Sequence, residues 1–446
     1  MSARTDQQSR QKRRQQIART PGVRTIRRPL PDGRTFSLAY TRTTPATPAD
    51  ARATPGAPAD ARAAPAHSGE PRGDSGGGWS ASGSADSGDR LAVLVIPGGP
   101  GLASVLPYRG LRAKAARLGT DLLMVEHRGV GLSRTDDDGA DLPREAMTVD
   151  DVVDDLAAVL EAEGIDQVVV YGCSYGSYLA QGLGVRHPER VAGMVLDSAM
   201  VDVGWSAASR GELRSLFWQG TAETRTQADV VRELVGGGVI DGDEAGFPLQ
   251  VLYEFGGLPM VDRMLDLLAA GRGQRAWRWV GRLGASEVTG SRPFMMEFEL
   301  VGEIAFRELG TAVAPDGQPL DVSGPFAEAA PRFSAFEREP FDLAAELPAF
   351  DWPLVVLSGD RDVRTPRSVA ERIVSLAPNA TLVPVRDHGH STLDTAQDLA
   401  LAVMQHLSRG GDPTGLPADP AGLPGMLNKL IGARLTLAKA MPRGLS

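Results

Sequence analysis

The stretch from Val168 to Ala180 constrains the fold more than any other part of the chain. Val168-Val169-Val170-Tyr171 is a short apolar run with the character of a strand buried on both faces. It leads without a spacer into Gly172-Cys173-Ser174-Tyr175-Gly176 and then into a helical run. Glycine at Gly172 and Gly176 permits the sharp strand-to-helix turn that this order demands, and the turn lifts Ser174 onto a strained bend.

A second Gly-x-Ser-x-Gly match, Gly73-Asp74-Ser75-Gly76-Gly77, also spells the serine motif of chymotrypsin-like proteases. It lacks the context: no strand precedes it and no helix follows. The spacing of the later segments does not describe an all-β double barrel either. Ser174 is therefore the candidate nucleophile and Ser75 is not.

Around Ser174 the chain alternates apolar strands with helices. Leu91 to Ile96, Asp121 to Glu126, Val168 to Tyr171 and Val191 to Asp197 read as buried strands, followed later by Trp352 to Ser358 and Ala380 to Val385. Such alternation predicts a mostly parallel sheet with helices on both faces, an α/β fold. Helices are expected near Ser104 to Leu118, over Thr395 to Leu407, and after Thr148. Thr148 and Asp151 form a capping box there, ahead of an apolar face of Val152, Leu156, Val159 and Leu160.

The expected organisation is a basic disordered arm over 1–22, a β-hairpin over 23–41 and a disordered Ala/Pro/Gly/Ser linker over 42–89. A first core segment follows over 90–201, a helical cap without buried strands over 202–347, and a second core segment over 348–410. The tail, 411–446, carries a possible amphipathic helix from Met426 to Met441. The net charge of -9 speaks against nucleic acid as a partner. Nine Arg or Lys residues against one acid in the first 28 residues are the local exception, read as a solvated arm. One cysteine, Cys173, precludes an internal disulfide and fits a reducing compartment. No apolar run reaches the ~18 residues of a membrane span, so neither anchor nor signal peptide is expected and a cytoplasmic location is the default.

A serine hydroxyl needs a base to take its proton and a third group to orient the base. In strand-turn-helix sites of this kind the order along the chain is Ser, acid, His. Asp362 after the Trp352 strand and His390 after the Ala380 strand fit, with Asp360 and His388 as their rivals. His67, His127, His187 and His406 read as structural or solvated. Backbone N–H groups of Tyr175 and of Gly99, in Pro97-Gly98-Gly99-Pro100-Gly101, would form an oxyanion hole.

With these residues assembled, the chain resembles the α/β-hydrolase superfamily and, within it, the proline iminopeptidase family of serine exopeptidases. Pro97 to Gly101 is similar to that family's His-Gly-Gly-Pro-Gly loop, with Pro97 in place of His. Glu126-His127-Arg128-Gly129-Val130-Gly131-Leu132-Ser133 is similar to its Asp-Gln-Arg-Gly-x-Gly-x-Ser stretch. Gly359-Asp360-Arg361-Asp362 resembles its acid loop and favours Asp362, and Gly389-His390-Ser391 matches its Gly-His-Ser. The resemblance implies an α/β-hydrolase fold with an inserted helical cap, release of N-terminal residues, often proline, from peptides through an acyl-enzyme, and no metal or organic cofactor.

That family reads the substrate ammonium through cap glutamates, and its Trp-x-x-Trp-Glu segment does not align here. The nearest acidic candidates are Glu297, Glu299 and Glu303. The alternatives are a carboxylesterase or other small-molecule hydrolase, and a non-catalytic binding protein on the same frame. The expected partner is a small peptide or small-molecule substrate; the oligomeric state is left open.

Overall fold

The computed structural model describes residues 15–44, 90–289, 291–416 and 426–440. Most of the expected basic arm and linker, Ser75 included, and residues 417–425 and 441–446 of the tail lie outside the described residues.

Among the described residues, eight strands form one sheet in the order β1-β2-β4-β3-β5-β6-β7-β8. They are β1 (Val23–Pro29), β2 (Thr35–Thr43), β3 (Ala92–Ile96), β4 (Leu122–Val125), β5 (Val168–Cys173), β6 (Val191–Asp197), β7 (Leu354–Gly359) and β8 (Ala380–Val385). β1 and β2 pair antiparallel, β2 joins β4 antiparallel, and every other pairing is parallel. The α/β expectation and the antiparallel edge are thus both met, and the fold is a mostly parallel sheet flanked by helices. β3, β5 and β7 are buried along their whole lengths, as continuous apolar runs require when both faces are covered.

One layer packs helices Val149–Ala162 and Tyr175–Arg186 on the sheet, the other Arg109–Arg117 and Gln397–Ser408. Thr148 Oγ1 accepts the Asp151 N–H at 3.1 Å, and Val152, Leu156, Val159 and Leu160 are buried, as the capping box and apolar spacing predicted. The helix expected from Ser104 begins at Arg109, five residues later. The cause is a buried carboxylate: Glu126 accepts the backbone N–H groups of Ser104 at 2.6 Å and Val105 at 2.8 Å, which holds that segment as a loop.

Between β6 and β7 the described chain is helical, with Trp205–Arg214, Arg225–Gly236, Gly246–Ala269, Gln274–Thr289 and Phe298–Arg307 as its longer elements. These helices build a second apolar core of their own around Phe217, Leu249, Leu252 and Met264. The helix Met426–Ala440 adds Ile431 and Leu435 to it, so the amphipathic tail segment packs on the body. Among the described residues no helix is long and apolar enough to cross a membrane.

The turn at Ser174 depends on the absence of two side chains. A methyl group at Gly176 would lie 2.2 Å from the Ile96 carbonyl oxygen, and one at Gly172 would lie 2.3 Å from the Gly176 carbonyl oxygen. Both obstacles are backbone, which cannot swing aside. Gly176→Ala is therefore expected to lower the denaturant midpoint by an amount equivalent to about 3 kcal/mol or more. Gly110→Ala, at an exposed position of the helix Arg109–Arg117 with open space around it, should instead stabilise by about 0.5–1 kcal/mol. Equal midpoints for the two variants would refute this account of the turn.

Candidate active site

Ser174 sits between β5 and the helix Tyr175–Arg186 with φ 52° and ψ -122°, a conformation that non-glycine residues rarely adopt. Its backbone N–H donates to the Asp197 carbonyl at 2.8 Å, which ties the turn to the end of β6. Ser174, Gly99, Tyr175 and His390 share the wall of one cavity of about 380 Å³.

Asp362 follows β7 and His390 follows β8. Nδ1 of His390 donates to the Asp362 carboxylate, 3.0 Å from Oδ2 and 3.1 Å from Oδ1, which leaves Nε2 as the proton acceptor of the neutral ring. Asp362 is fully enclosed and also accepts the N–H groups of Arg364 and Thr365, each at 3.0 Å, and the Thr365 hydroxyl at 2.9 Å. Burial alone would raise its carboxyl, but His390 and these donors hold it below the ordinary carboxylate range. Burial would lower the His390 imidazole, and the facing Asp362 charge outweighs it and raises it. The rivals stand apart: Asp360 pairs with Arg367 at 2.6 Å, and the half-buried His388 bonds the Arg386 carbonyl at 2.8 Å.

The Glu126–Ser133 stretch explains itself residue by residue. Beyond Ser104 and Val105, Glu126 accepts the Leu132 N–H at 3.2 Å, so one carboxylate fixes the segment after the Gly98-Gly99 loop. His127 bonds the Arg128 carbonyl through Nδ1, which makes Nε2 the acceptor of the Tyr175 hydroxyl at 3.0 Å. Burial lowers His127 to about 4, so the ring is neutral at ordinary pH and steadies the residue whose N–H would face an oxyanion. Arg128 is buried and forks onto Asp155 at 2.7 and 2.8 Å. Ser133 Oγ accepts the Ala39 N–H at 2.9 Å and so ties the stretch to β2.

Asp197, at the end of β6, is the residue that sequence reasoning passed over. Its buried carboxylate accepts the N–H groups of Thr392 at 3.0 Å and Leu393 at 2.8 Å, together with the Tyr171 hydroxyl at 2.8 Å. Burial pushes this carboxyl up while those donors oppose it. An acid closing an otherwise apolar strand was its one visible signal.

The three cap glutamates are not on the cavity wall. Glu297 lies against the core because residues 295–297 bridge the Gly101–Ala103 segment: Glu297 N–H donates to Gly101 O at 2.8 Å, and Met295 O receives Ala103 N–H at 3.0 Å. Its fully buried carboxylate takes the Gly131 N–H and faces Arg134 at 3.8 Å. Glu299 pairs with Arg134 at 3.0 Å, while Glu303 is buried within 3.7 Å of Arg144 and Arg307. The pairing of Glu299 with Glu303 around one ammonium is thus replaced by separate arginine contacts. From this region the cavity takes Met296, Phe298, Ala305 and Leu309 instead, and it is completed by Met200, Trp205 and Phe326. Among the described residues no group of three or more His, Cys, Asp or Glu side chains is placed to hold a metal ion.

Residues 92–229 match a family profile described as alpha/beta hydrolase fold. A proline iminopeptidase of Neisseria meningitidis is 34% identical over 119 residues, which are 26% of this chain and 34% of that protein. One of Lactobacillus delbrueckii subsp. bulgaricus is 33% identical over 120 residues, 26% of this chain and 39% of that protein. The match therefore spans little more than a third of these curated relatives. The crystal structure of a Mycobacterium smegmatis proline iminopeptidase aligns over 88% of this chain and 99% of its own, at 17% identity and a TM-score of 0.47. The chain has the α/β-hydrolase fold and, over about a quarter of its length, resembles the proline iminopeptidases.

Proposed function

We propose that the chain is a serine hydrolase in which Ser174, His390 and Asp362 form the catalytic triad. The observation that carries this reading is His390, held by the enclosed Asp362 at 3.0 Å, on the wall of the cavity that also holds Ser174 on its strained turn. His390 Nε2 takes the proton from Ser174 Oγ as the oxygen attacks a carbonyl carbon. Negative charge gathers on the former carbonyl oxygen, where backbone N–H groups of Tyr175 and Gly99 stabilise it, each worth ~10²–10³ in rate. His390 then protonates the leaving group, and water releases the acyl group by the reverse sequence.

The finer reading is an aminopeptidase of the proline iminopeptidase type, supported by the motif resemblance and by the matched segment of the relatives. A second reading, a carboxylesterase, is favoured by one observation: the cap side of the cavity is built of Trp, Phe, Met, Leu and Ala with Thr311 as its polar member, and Glu297, Glu299 and Glu303 lie off it.

A fluorophosphonate probe is expected to label Ser174 in the wild type and in Ser75→Ala, and not in Ser174→Ala. Labelling that survives Ser174→Ala would refute the assignment. Because Asp362 raises the His390 imidazole, the neutral base is lost on acidification, and hydrolysis should fall on the acid side. Asp362→Asn should move that limb to lower pH and reduce kcat by about 10⁴-fold; an unmoved limb would contradict the pairing. Prolyl and alanyl arylamides compared with their N-acetylated forms, and with short-chain aryl esters, decide substrate class. An aminopeptidase turns over only the free amines. Equal rates on free and blocked amines would leave the esterase reading.

A further inference from the structure

We propose that Glu254 and Arg364 act as a positioning pair that seats the helical segment on both catalytic loops and balances the charge around His390, an inference that rests on the serine-hydrolase reading. Glu254 lies in the helix Gly246–Ala269, three residues before the break at Gly257, where φ is 62°. Its carboxylate is almost wholly enclosed, with 2% side-chain exposure, and receives Arg364 Nε at 3.0 and 3.2 Å. Arg364 stands two residues after Asp362, donates its own N–H to Asp362 Oδ1 at 3.0 Å, and lines the cavity beside His390.

The same helix residue meets the other loop. A methyl group at Gly389, which directly precedes His390, would lie 2.8 Å from the Glu254 carbonyl oxygen. One turn of helix therefore touches the acid loop through an ion pair and the histidine loop through backbone contact. A carboxylate this enclosed requires its cation, because an unpaired charge left in a dry site costs several kcal/mol.

The charged groups facing His390 are few. Asp362 and Arg364 come from the loop after β7, Glu254 from the helix Gly246–Ala269, and Asp394 from the segment after His390, on the same cavity wall. His388 is half-buried and bonded to the Arg386 carbonyl. Glu254 favours the imidazolium and Arg364 disfavours it, so the intact pair leaves Asp362 to set the base. Breaking the pair from either side must then act with opposite sign.

The test measures the rate of fluorophosphonate labelling of Ser174 against pH for Glu254→Gln, Arg364→Met, the double variant and Arg364→Lys, each scaled to its own alkaline plateau. Below the midpoint of the wild-type limb, Glu254→Gln should label roughly two- to tenfold faster and Arg364→Met slower by a similar factor. The double variant and Arg364→Lys should lie close to the wild type. Isotope-labelled histidine NMR on a Ser174→Ala background should show the His390 titration moving in the same two directions. Shifts of the same sign in both single variants, or lower plateaus with unmoved limbs, would overturn the proposal. Failure of the wild type to label at Ser174 would instead overturn the serine-hydrolase reading, and the His390 titration still reads the pair. Should Arg364→Met not fold, Glu254→Gln and the double variant decide the sign.

Discussion

The buried carboxylate of Asp197 is the constraint that the rest of the site depends on. Ser174 and His390 are separated by more than two hundred residues and by the whole inserted helical segment. Asp197 joins them across that gap: its backbone carbonyl receives the Ser174 N–H, and its side chain receives the N–H groups of Thr392 and Leu393, just after His390. Tyr171 on β5 supplies a third donor at 2.8 Å. A desolvated carboxylate leaves its site only at the cost of several unmade hydrogen bonds, so the two loops share one rigid anchor. Glu126 does the same for the loop that carries Gly99, through Ser104, Val105 and Leu132.

These two acids divide the labour with the inserted helices. The core fixes Ser174, Asp362 and His390, the proposed reacting groups, and the insertion lines the cavity beside them. Residues 295–297 pair with the Gly101–Ala103 segment, so Met296 and Phe298 are presented to the cavity by the same strand-like contact that turns Glu297 away from it. In the proposed reaction, these largely apolar walls, within a few residues of the Gly98-Gly99 loop, would set the acyl-group preference.

Much of the sheet was legible because its signals are local. A run such as Leu91 to Ile96 has no polar face to offer solvent, and Thr148 with Asp151 marks a helix start within four residues. The turn at Ser174 was legible for the same reason, since its two glycines are demanded by neighbouring backbone. That Asp362 and His390 would meet was expected from chain order together with the resemblance of their loops, which set aside Asp360 and His388. What failed depended on distant partners. Glu299 and Glu303 looked like one acidic face, but Arg134, about 165 residues earlier, takes Glu299, and Arg144 with Arg307 flanks Glu303. The late start at Arg109 has the same origin, a carboxylate from β4's end claiming N–H groups that helix propensity would have used. His127 looked like a lone structural histidine until its partner, Tyr175, came into view across 48 residues.

The proposed chemistry requires that Ser174 become covalently acylated with His390 as its base. Brief reaction with an activated aryl acetate at mildly acidic pH, followed by acid quench and peptide mapping, tests it most directly. One acetyl group on the peptide containing Ser174, absent from Ser174→Ala and strongly reduced in His390→Ala, is the predicted result. Acetylation confined to other residues, or equal acetylation of Ser174 with and without His390, would contradict it.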